Sequence, residues 1–436
     1  MVLFSSSFGF AGSNPINPGQ GLLKITKVSG RSERRDNEAK TTTTTDGDDD
    51  DTNTRYPEVQ KSDLIRGRHQ ISFPKVRFSY PLKLITSRSF YNLSMDREIG
   101  LVYILNYGGG LVQGDRITID LEVDEGCDLL CLSQGSTKVF KSNNNKKRSE
   151  SINRLSRIDP ENGDGSKNLD SMTIRSKAEI GQSSRLIPSK RLRDEEDSGE
   201  SCVQKVSATI EKNSCLLMLP SYVTCFRDSS FLQSQTFRLK DQTSGLVYLD
   251  WFTSGRFHYR KEKVDESEAD EMDKLVESWS FDRFRSFVEV YLSERRLLRD
   301  NIDLNNRHDR VNHGLVQVYG NLILIVPENH RALNRTFDYL EKLYRSNSNE
   351  TFKNNHQNRN RSSPDQTLWS FDRIELKDKQ FENLRGLDGI NLKKLPRCAM
   401  VRICSESTIL IQQWFRKNLI GLEEIIGVEF YRNCFG

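Results

Sequence analysis

The feature that most constrains this chain is a train of short apolar runs, each broken by turn-forming residues. In "RITIDLEV" (116–123), Ile117, Ile119, Leu121 and Val123 alternate with Arg116, Thr118, Asp120 and Glu122. A two-residue period puts the apolar side chains on one face, as a half-buried strand requires. "LVYILNY" (101–107), "CDLLCLS" (127–133), "KVSATIE" (205–211), "SCLLMLP" (214–220), "SFLQSQTFRLK" (230–240), "GLVYLDWFTSGR" (245–256), "SFVEVYL" (286–292) and "GLVQVYGNLILIVP" (314–327) are of the same kind. All are short, rich in Val, Ile, Leu, Phe and Tyr, and bounded by Gly, Asp or Ser. Helical spacing appears only late. Leu333, Phe337, Leu340 and Tyr344 share a face near 331–344, and Ile411, Trp414 and Phe415 do so near 408–419, with Ser407 as a candidate cap. Strand runs followed by a few helices predict an all-β to β-rich α+β fold.

Three stretches depart from this pattern. Residues 31–60, 143–200 and 345–365 are polar and hold too few large apolar side chains to offset the entropy of ordering, so disordered inserts are expected there. Of the 436 residues, 1–30 then lead into the core, and 61–436 form a single domain interrupted at 143–200 and 345–365. Lys and Arg number 65 against 61 Asp and Glu, so composition gives no electrostatic support for a nucleic-acid partner. No apolar run approaches the roughly 18 residues of a membrane helix. The N-terminus lacks the basic start of a secretory signal and the Arg of a transit peptide, which suggests a cytoplasmic protein. The eight cysteines form no C-x-x-C pair, and the expectation is buried thiols rather than a zinc site.

"GGGLVQGDR" (108–116) looks at first like a phosphate cradle. Gly109 and Gly114 have the P-loop spacing, but Asp115 stands where a Lys should neutralise phosphate. Gln113 falls where a dinucleotide fingerprint needs its third Gly, and a strand follows rather than a helix N-terminus. The glycines Gly108, Gly109, Gly110 and Gly114 are therefore assigned to backbone shape in a loop between strands. The six histidines make no metal-binding spacing, and no G-x-S-x-G elbow is present. No catalytic residue emerges from this search.

Ordered motifs carry more. Residues 101–142, "LVYILNYGGGLVQGDRITIDLEVDEGCDLLCLSQGSTKVFKS", resemble the urease accessory protein D family through a "GGGLVxGD" loop and a "QGxTKVxxS" segment. "LPSYVTCFRDSSFLQSQTFRL" (219–239), "LDWFTSGR" (249–256), "WSFDRFRSFVEVYL" and "RRLLRDNIDL" follow in the family's order, and "VRICSESTILIQQWFR" suits its final strand and helix. Local departures are Gln113, often Gly in the family, "LPSYV" without the usual acid–Pro pair, and a charged insertion before Trp279.

The resemblance implies a helix-like stack of strands and a role without catalysis: binding apo-urease and a helical accessory protein F, joining the GTPase G through F, and helping nickel into urease. No tightly bound cofactor is implied, only nickel in transit. A conduit for an ion that must leave again suits carboxylate, carbonyl and water better than imidazole or thiolate. Asp115 is then a candidate carboxylate on the nickel route or a cap of its own turn. Asp300, after the family's "VEV" strand, lines the route or faces solvent. Lys138 pairs with an acid or meets a partner, and Arg256 suits a structural ion pair. Two rival readings stay open: a nickel storage or sensor protein with a tight His or Cys shell, and a β-rich enzyme with a scattered carboxylate site.

Overall fold

A computed structural model describes residues 16–28, 70–92, 96–141, 201–256, 278–305, 316–354, 367–376 and 394–435, with only the backbone described for 28, 70 and 347–354. The expected inserts at 31–60 and 143–200 lie outside these residues. Strands β1 (Gln20–Val28) and β2 (Gln70–Phe78) pair antiparallel, as do β3 (Leu82–Asn92) and β4 (Arg97–Asn106). From β4 onward the chain coils. Each turn lays one strand in each of two large sheets and a short strand in a third row between them. The first turn is β4, β5 (Gly110–Leu111) and β6 (Arg116–Val123). The second is β7 (Asp128–Ser133), β8 (Thr137–Val139) and β9 (Cys202–Ile210). The third is β10 (Cys215–Leu219), β11 (Val223–Cys225) and β12 (Ser230–Leu239). Strands β13 (Gly245–Thr253) and β14 (Arg283–Leu292) continue the two large sheets. Like strands of successive turns pair in parallel: β4, β7, β10 and β13 in one sheet, β6, β9, β12 and β14 in the other, and β5, β8 and β11 in the third row. The expected β-helix-like stack is thus the architecture observed.

Antiparallel strands border the stack. In the first sheet, β15 (Arg295–Asn305) closes one side against β14, and β2 the other against β1. In the second, β16 (Val318–Val326), β18 (Arg397–Ser405) and β17 (Leu368–Ile374) follow β13, and β3 lies beyond β4.

Burial explains why the two sheets read differently in the sequence. Strand β6 alternates buried and accessible positions, so only one face meets the core. Strand β13 is buried at every position, the mark of a strand packed on both faces. One face of the second sheet looks into the lumen, where Leu246, Tyr248 and Phe252 join Phe231, Phe237 and Phe284 from the first sheet. The other face, with Val247, Leu249 and Trp251, packs under helices. Six of the eight cysteines are buried, as expected.

The two anticipated helices are present as α1 (Arg331–Asn354) and α2 (Thr408–Asn418). Leu333, Phe337 and Leu340 are fully buried, and Tyr344 meets Trp369 at 5.5 Å. Ser407 caps α2: the amide of Leu410 donates to its Oγ at 3.3 Å. Helix α1 runs ten residues beyond its expected end at 344, into the stretch read as an insert at 345–365. Polarity alone does not end a helix: Arg345 and Ser346 are exposed, and the Glu341–Arg345 ion pair, one helical turn apart, supports its continuation. Residues 355–366 lie outside the described part. At its start, burial lowers the His330 pKa to about 4, so the ring is neutral and Nδ1 accepts from the Leu333 amide at 3.4 Å.

Two short helices were not anticipated, α3 (Ile420–Ile426) and α4 (Val428–Phe435). Helix α3 packs mainly on α1, and α4 packs on α2, where Phe435 meets Phe415 at 5.5 Å. Tyr431 donates its hydroxyl to the carbonyl of Arg416 at 2.8 Å, an acceptor at the end of α2, and lies 3.1 Å from the carbonyl of Phe415, which also accepts from the Leu419 amide at 2.8 Å.

Candidate functional site

The two sequence motifs are adjacent rungs of the third row. Gly110 and Leu111 in β5 stand opposite Lys138 and Val139 in β8, which stand opposite Thr224 and Cys225 in β11. The close approach explains one glycine: a Cβ on Gly110 would lie 2.4 Å from the carbonyl oxygen of Lys138. Gly108 is needed for a different reason, since its φ of 76° lies in the left-handed region.

Asp115 sits in the turn that follows. Its Oδ2 accepts from the Val112 amide at 2.8 Å, and its own amide donates to the Val112 carbonyl at 3.0 Å. That geometry closes a turn. Its carbonyl also accepts from Val203, tying the turn to the next rung. Lys138 is exposed. The guanidinium of Arg256, also exposed, lies 4.4 Å from the centre of the Phe226 ring, which in turn meets Phe140 edge-on.

Asp300 lies elsewhere. It stands on β15, four strands across the first sheet from β6, or about 19 Å at the usual strand spacing. The structure therefore does not bring Asp115 and Asp300 together. Asp300 is buried, not solvent-facing. Its Oδ1 is 3.1 Å from Arg402 Nη2, and its Oδ2 accepts from Asn321 Nδ2 at 3.3 Å.

Asp300 belongs to a polar thread inside the lumen. On the second sheet, Asp250, Asn321 and Arg402 stand directly opposite one another across β13, β16 and β18. On the first sheet, Gln204, Gln233 and Ser286 form the facing row across β9, β12 and β14. The rows are joined: Asp250 accepts from Gln233 Nε2 at 2.8 Å and from Ser286 Oγ at 2.6 Å. Because rows across strands run along the axis of a coil, these side chains line its interior lengthwise. A cavity of about 50 Å³ opens beside them, walled by Asn106, Ser133, Thr137, Gln204, Gln235 and Asp250 among others. At roughly 10–15 Å³ per water centre, it has room for about three to five waters. Two wall oxygens, Asn106 Oδ1 and Gln235 Oε1, are buried and have no hydrogen-bond partner among the described residues. Buried amide oxygens normally find a donor, so this pair leaves acceptor capacity aimed at whatever enters.

The electrostatics suit an incoming cation. Burial raises the Asp250 pKa, its hydrogen bonds from Ser286 and Gln233 lower it, and the charge of Asp300 raises it again. Tyr248 beside them is pushed well up by burial and by the same two carboxylates. Asp250 and Asp300 are two buried acids within electrostatic reach of each other, and Arg402 pairs with Asp300 alone of the two.

A sequence profile described as UreD urease accessory protein matches residues 66–159 and 189–432, well over half of the chain. The chain belongs to the UreD family. Relatives agree. Urease accessory protein 4 of Cryptococcus neoformans var. grubii is 28% identical over 309 residues, 68% of this chain and 75% of that protein. Urease accessory protein D of Arabidopsis thaliana is 24% identical over 358 residues, covering 80% and 90%. Urease accessory protein UreD of Halalkalibacterium halodurans is 23% identical over 247 residues, covering 55% and 65%. Membership supports an accessory role in urease maturation, and the relatives are named as accessory proteins rather than as catalysts. No helix among the described residues is long and apolar enough to cross a membrane.

The family resemblance led to Asp300 but not to its neighbours. Asp250, Gln233, Gln235 and Arg402 were missed, although each sits at an inward position where alternation calls for an apolar side chain. In "SFLQSQTFRL", Gln233 and Gln235 take the places between Phe231 and Phe237. A polar residue on the apolar beat of a strand was the available signal.

Proposed function

We propose that this UreD-family chain is a non-catalytic scaffold of urease maturation: it binds apo-urease, works with accessory proteins F and G, and lets nickel pass toward the urease site along its lumen. The observation that carries the reading is the polar thread, a row of oxygen-bearing side chains running lengthwise through an otherwise apolar β-coil. Carboxylate and amide oxygens bind Ni(II) more weakly than imidazole or thiolate, and weak binding at successive points allows an ion to leave as well as enter. Asp250 and Asp300 supply the charge, while Asn106 and Gln235 supply neutral oxygens. In this scheme Asp115 closes its turn and lies off the path. The cytoplasm is the expected location for such a step.

The test is Asp250→Asn, which keeps the shape and removes the charge. In a reconstituted assay with urease, F, G and nickel, activation should fall by at least ten-fold, while the variant still co-purifies with urease. Full activation by the folded variant would remove the lumen from the mechanism. Failure of the unaltered chain to associate with apo-urease, alone or with F, would remove the scaffold role.

A further inference from the structure

The outer face of the second sheet is not covered along its whole length. At Tyr103 in β4 the face is half-buried against the apolar cluster under the helices, within electrostatic reach of Glu429 in α4. Beyond Tyr103 the face is open. Ile85, opposite Tyr103 in β3, is 38% exposed, and Lys83 stands on the same face two residues earlier, opposite Leu105. Lys83 Nζ lies 5.7 Å from the centre of the Tyr107 ring, and that ring lies 5.7 Å from the ring of Tyr80. Tyr107 is 44% exposed, and Tyr80, at 71%, is the most exposed large apolar side chain among the described residues. Aromatic rings gathered in the open at one corner mark a surface that something covers.

The chain's own N-terminal segment leaves the fold at this corner. Asn17 is tied to the turn that carries Tyr80: the Ser79 hydroxyl donates to the Asn17 carbonyl at 2.5 Å, and two residues on, the Gly19 amide donates to the Tyr80 carbonyl at 2.8 Å. Residues 1–15, which lie outside the described part, are therefore tethered beside the patch. Their sequence, "MVLFSSSFGFAGSNP", has no charged side chain and carries Val2, Leu3, Phe4, Phe8 and Phe10. Rings in such a stretch gain by leaving water. Reach is ample. Phe10 is seven residues from Asn17 and Phe8 nine, spans of at most about 25 and 32 Å, whereas Ile85 on the far side of the patch is at most about 18 Å from Tyr80. A tether this short holds its side chains at the patch at an effective concentration on the order of millimolar, which a free competitor would have to match. Charge agrees as well. Lys83 would repel a basic occupant, while a Phe ring can take an open side of its ammonium as Tyr107 already does.

We propose that the Tyr80–Tyr107 corner is the docking surface of the chain's own N-terminal segment, with Phe8 and Phe10 seated on Tyr80, Tyr107 and Ile85 beside Lys83. The occupant belongs to the same molecule rather than to a second copy or another protein. The seat is separate from the lumen, so its failure would leave the scaffold reading untouched.

Hydroxyl-radical footprinting of the purified full chain, read by mass spectrometry, tests the seat. Phe4→Ser, Phe8→Ser and Phe10→Ser together change no described residue. In that variant oxidation of Tyr80 and Tyr107 should rise at least three-fold, while Tyr339 on α1, 40% exposed, serves as the unchanged reference. Equal oxidation of Tyr80 and Tyr107 in the two proteins would overturn the proposal. Protection that fades when the unaltered protein is diluted would assign the patch to a second copy and overturn it too. A benzophenone side chain placed at position 8 identifies the seat by photo-crosslinking. The expected product joins position 8, within one chain, to the peptide carrying Tyr80 or the one carrying Tyr107. A crosslink between chains, one to a peptide away from β3 and β4, or none at all would count against the seat.

Discussion

Gly110 and Gly108 are neighbours in one motif, yet alanine should harm them by different means and to different extents. A Cβ on Gly110 would lie 2.4 Å from the Lys138 carbonyl oxygen and 2.6 Å from the Phe140 ring. Ordinary contact begins near 3.4 Å, so β5 and β8 must part by about 1 Å. The obstacle is backbone, which cannot rotate away. Overpacking of this kind costs about 1–3 kcal/mol, partly offset by the ~0.4–1 kcal/mol that alanine gains through the unfolded chain. At Gly108 the added methyl meets nothing within 4 Å, and the penalty is only the left-handed backbone, about 1–2 kcal/mol before the same offset. Thermal unfolding should therefore place Gly110→Ala about 2–6 °C below the unaltered protein and Gly108→Ala less far below. Hydrogen exchange is the sharper assay. The Phe140 amide donates to the Leu111 carbonyl at 2.9 Å, across the gap that must widen. Its protection should fall several-fold in Gly110→Ala and stay unaltered in Gly108→Ala. Equal stability of the two variants, with Phe140 equally protected in both, would refute the argument that rung spacing selects this glycine.

Asp128 tests the cost of buried charge. Burial raises its pKa to about 7 although Arg97 Nε lies 2.9 Å away; the partly exposed guanidinium does not offset the loss of water around the carboxylate. The folded chain then keeps a proton that the unfolded chain releases near pH 3.8, so stability declines as pH rises from about 4 through 7. Across that window the loss approaches about 4 kcal/mol. Asp128→Asn should flatten that decline in urea unfolding measured at pH 5 and pH 8, and parallel profiles for the two proteins would contradict it. Tyr431→Phe keeps the packing but takes the hydroxyl donor from the Arg416 carbonyl, while the Phe415 carbonyl keeps the Leu419 amide. It should cost about 1–2 kcal/mol by denaturant titration, and no loss would show that other groups take over.

The strands of the first sheet were legible because one face is buried and alternation survives in the residues, as in β6, while those of the second, packed on both faces, stood out as short apolar runs between turn residues, as in β13. The order of those strands in space was not. Nothing local to "GGGLVQGD" or "QGSTKVF" says that they pair with each other, because parallel neighbours in a coil are separated by a whole turn of chain. The last two helices were missed for a local reason. Helices α3 and α4 are seven and eight residues long and separated by the single residue Gly427, too short for a helical period to declare itself. The resemblance brought Asp300 into view as one acid in a motif. Its meaning came from Asn321 and Arg402, which follow it by 21 and 102 residues.

The borders of the stack have a bearing on solubility. A coil made by repeating one turn has no inherent reason to stop, and an open parallel end can template another copy of itself. Here the outermost strands β15, β2, β17 and β3 all run opposite to their neighbours. A second molecule arriving end-on would meet an antiparallel strand rather than the open parallel edge that another turn of the coil requires, so the repeat has no in-register way to run on from one copy into the next.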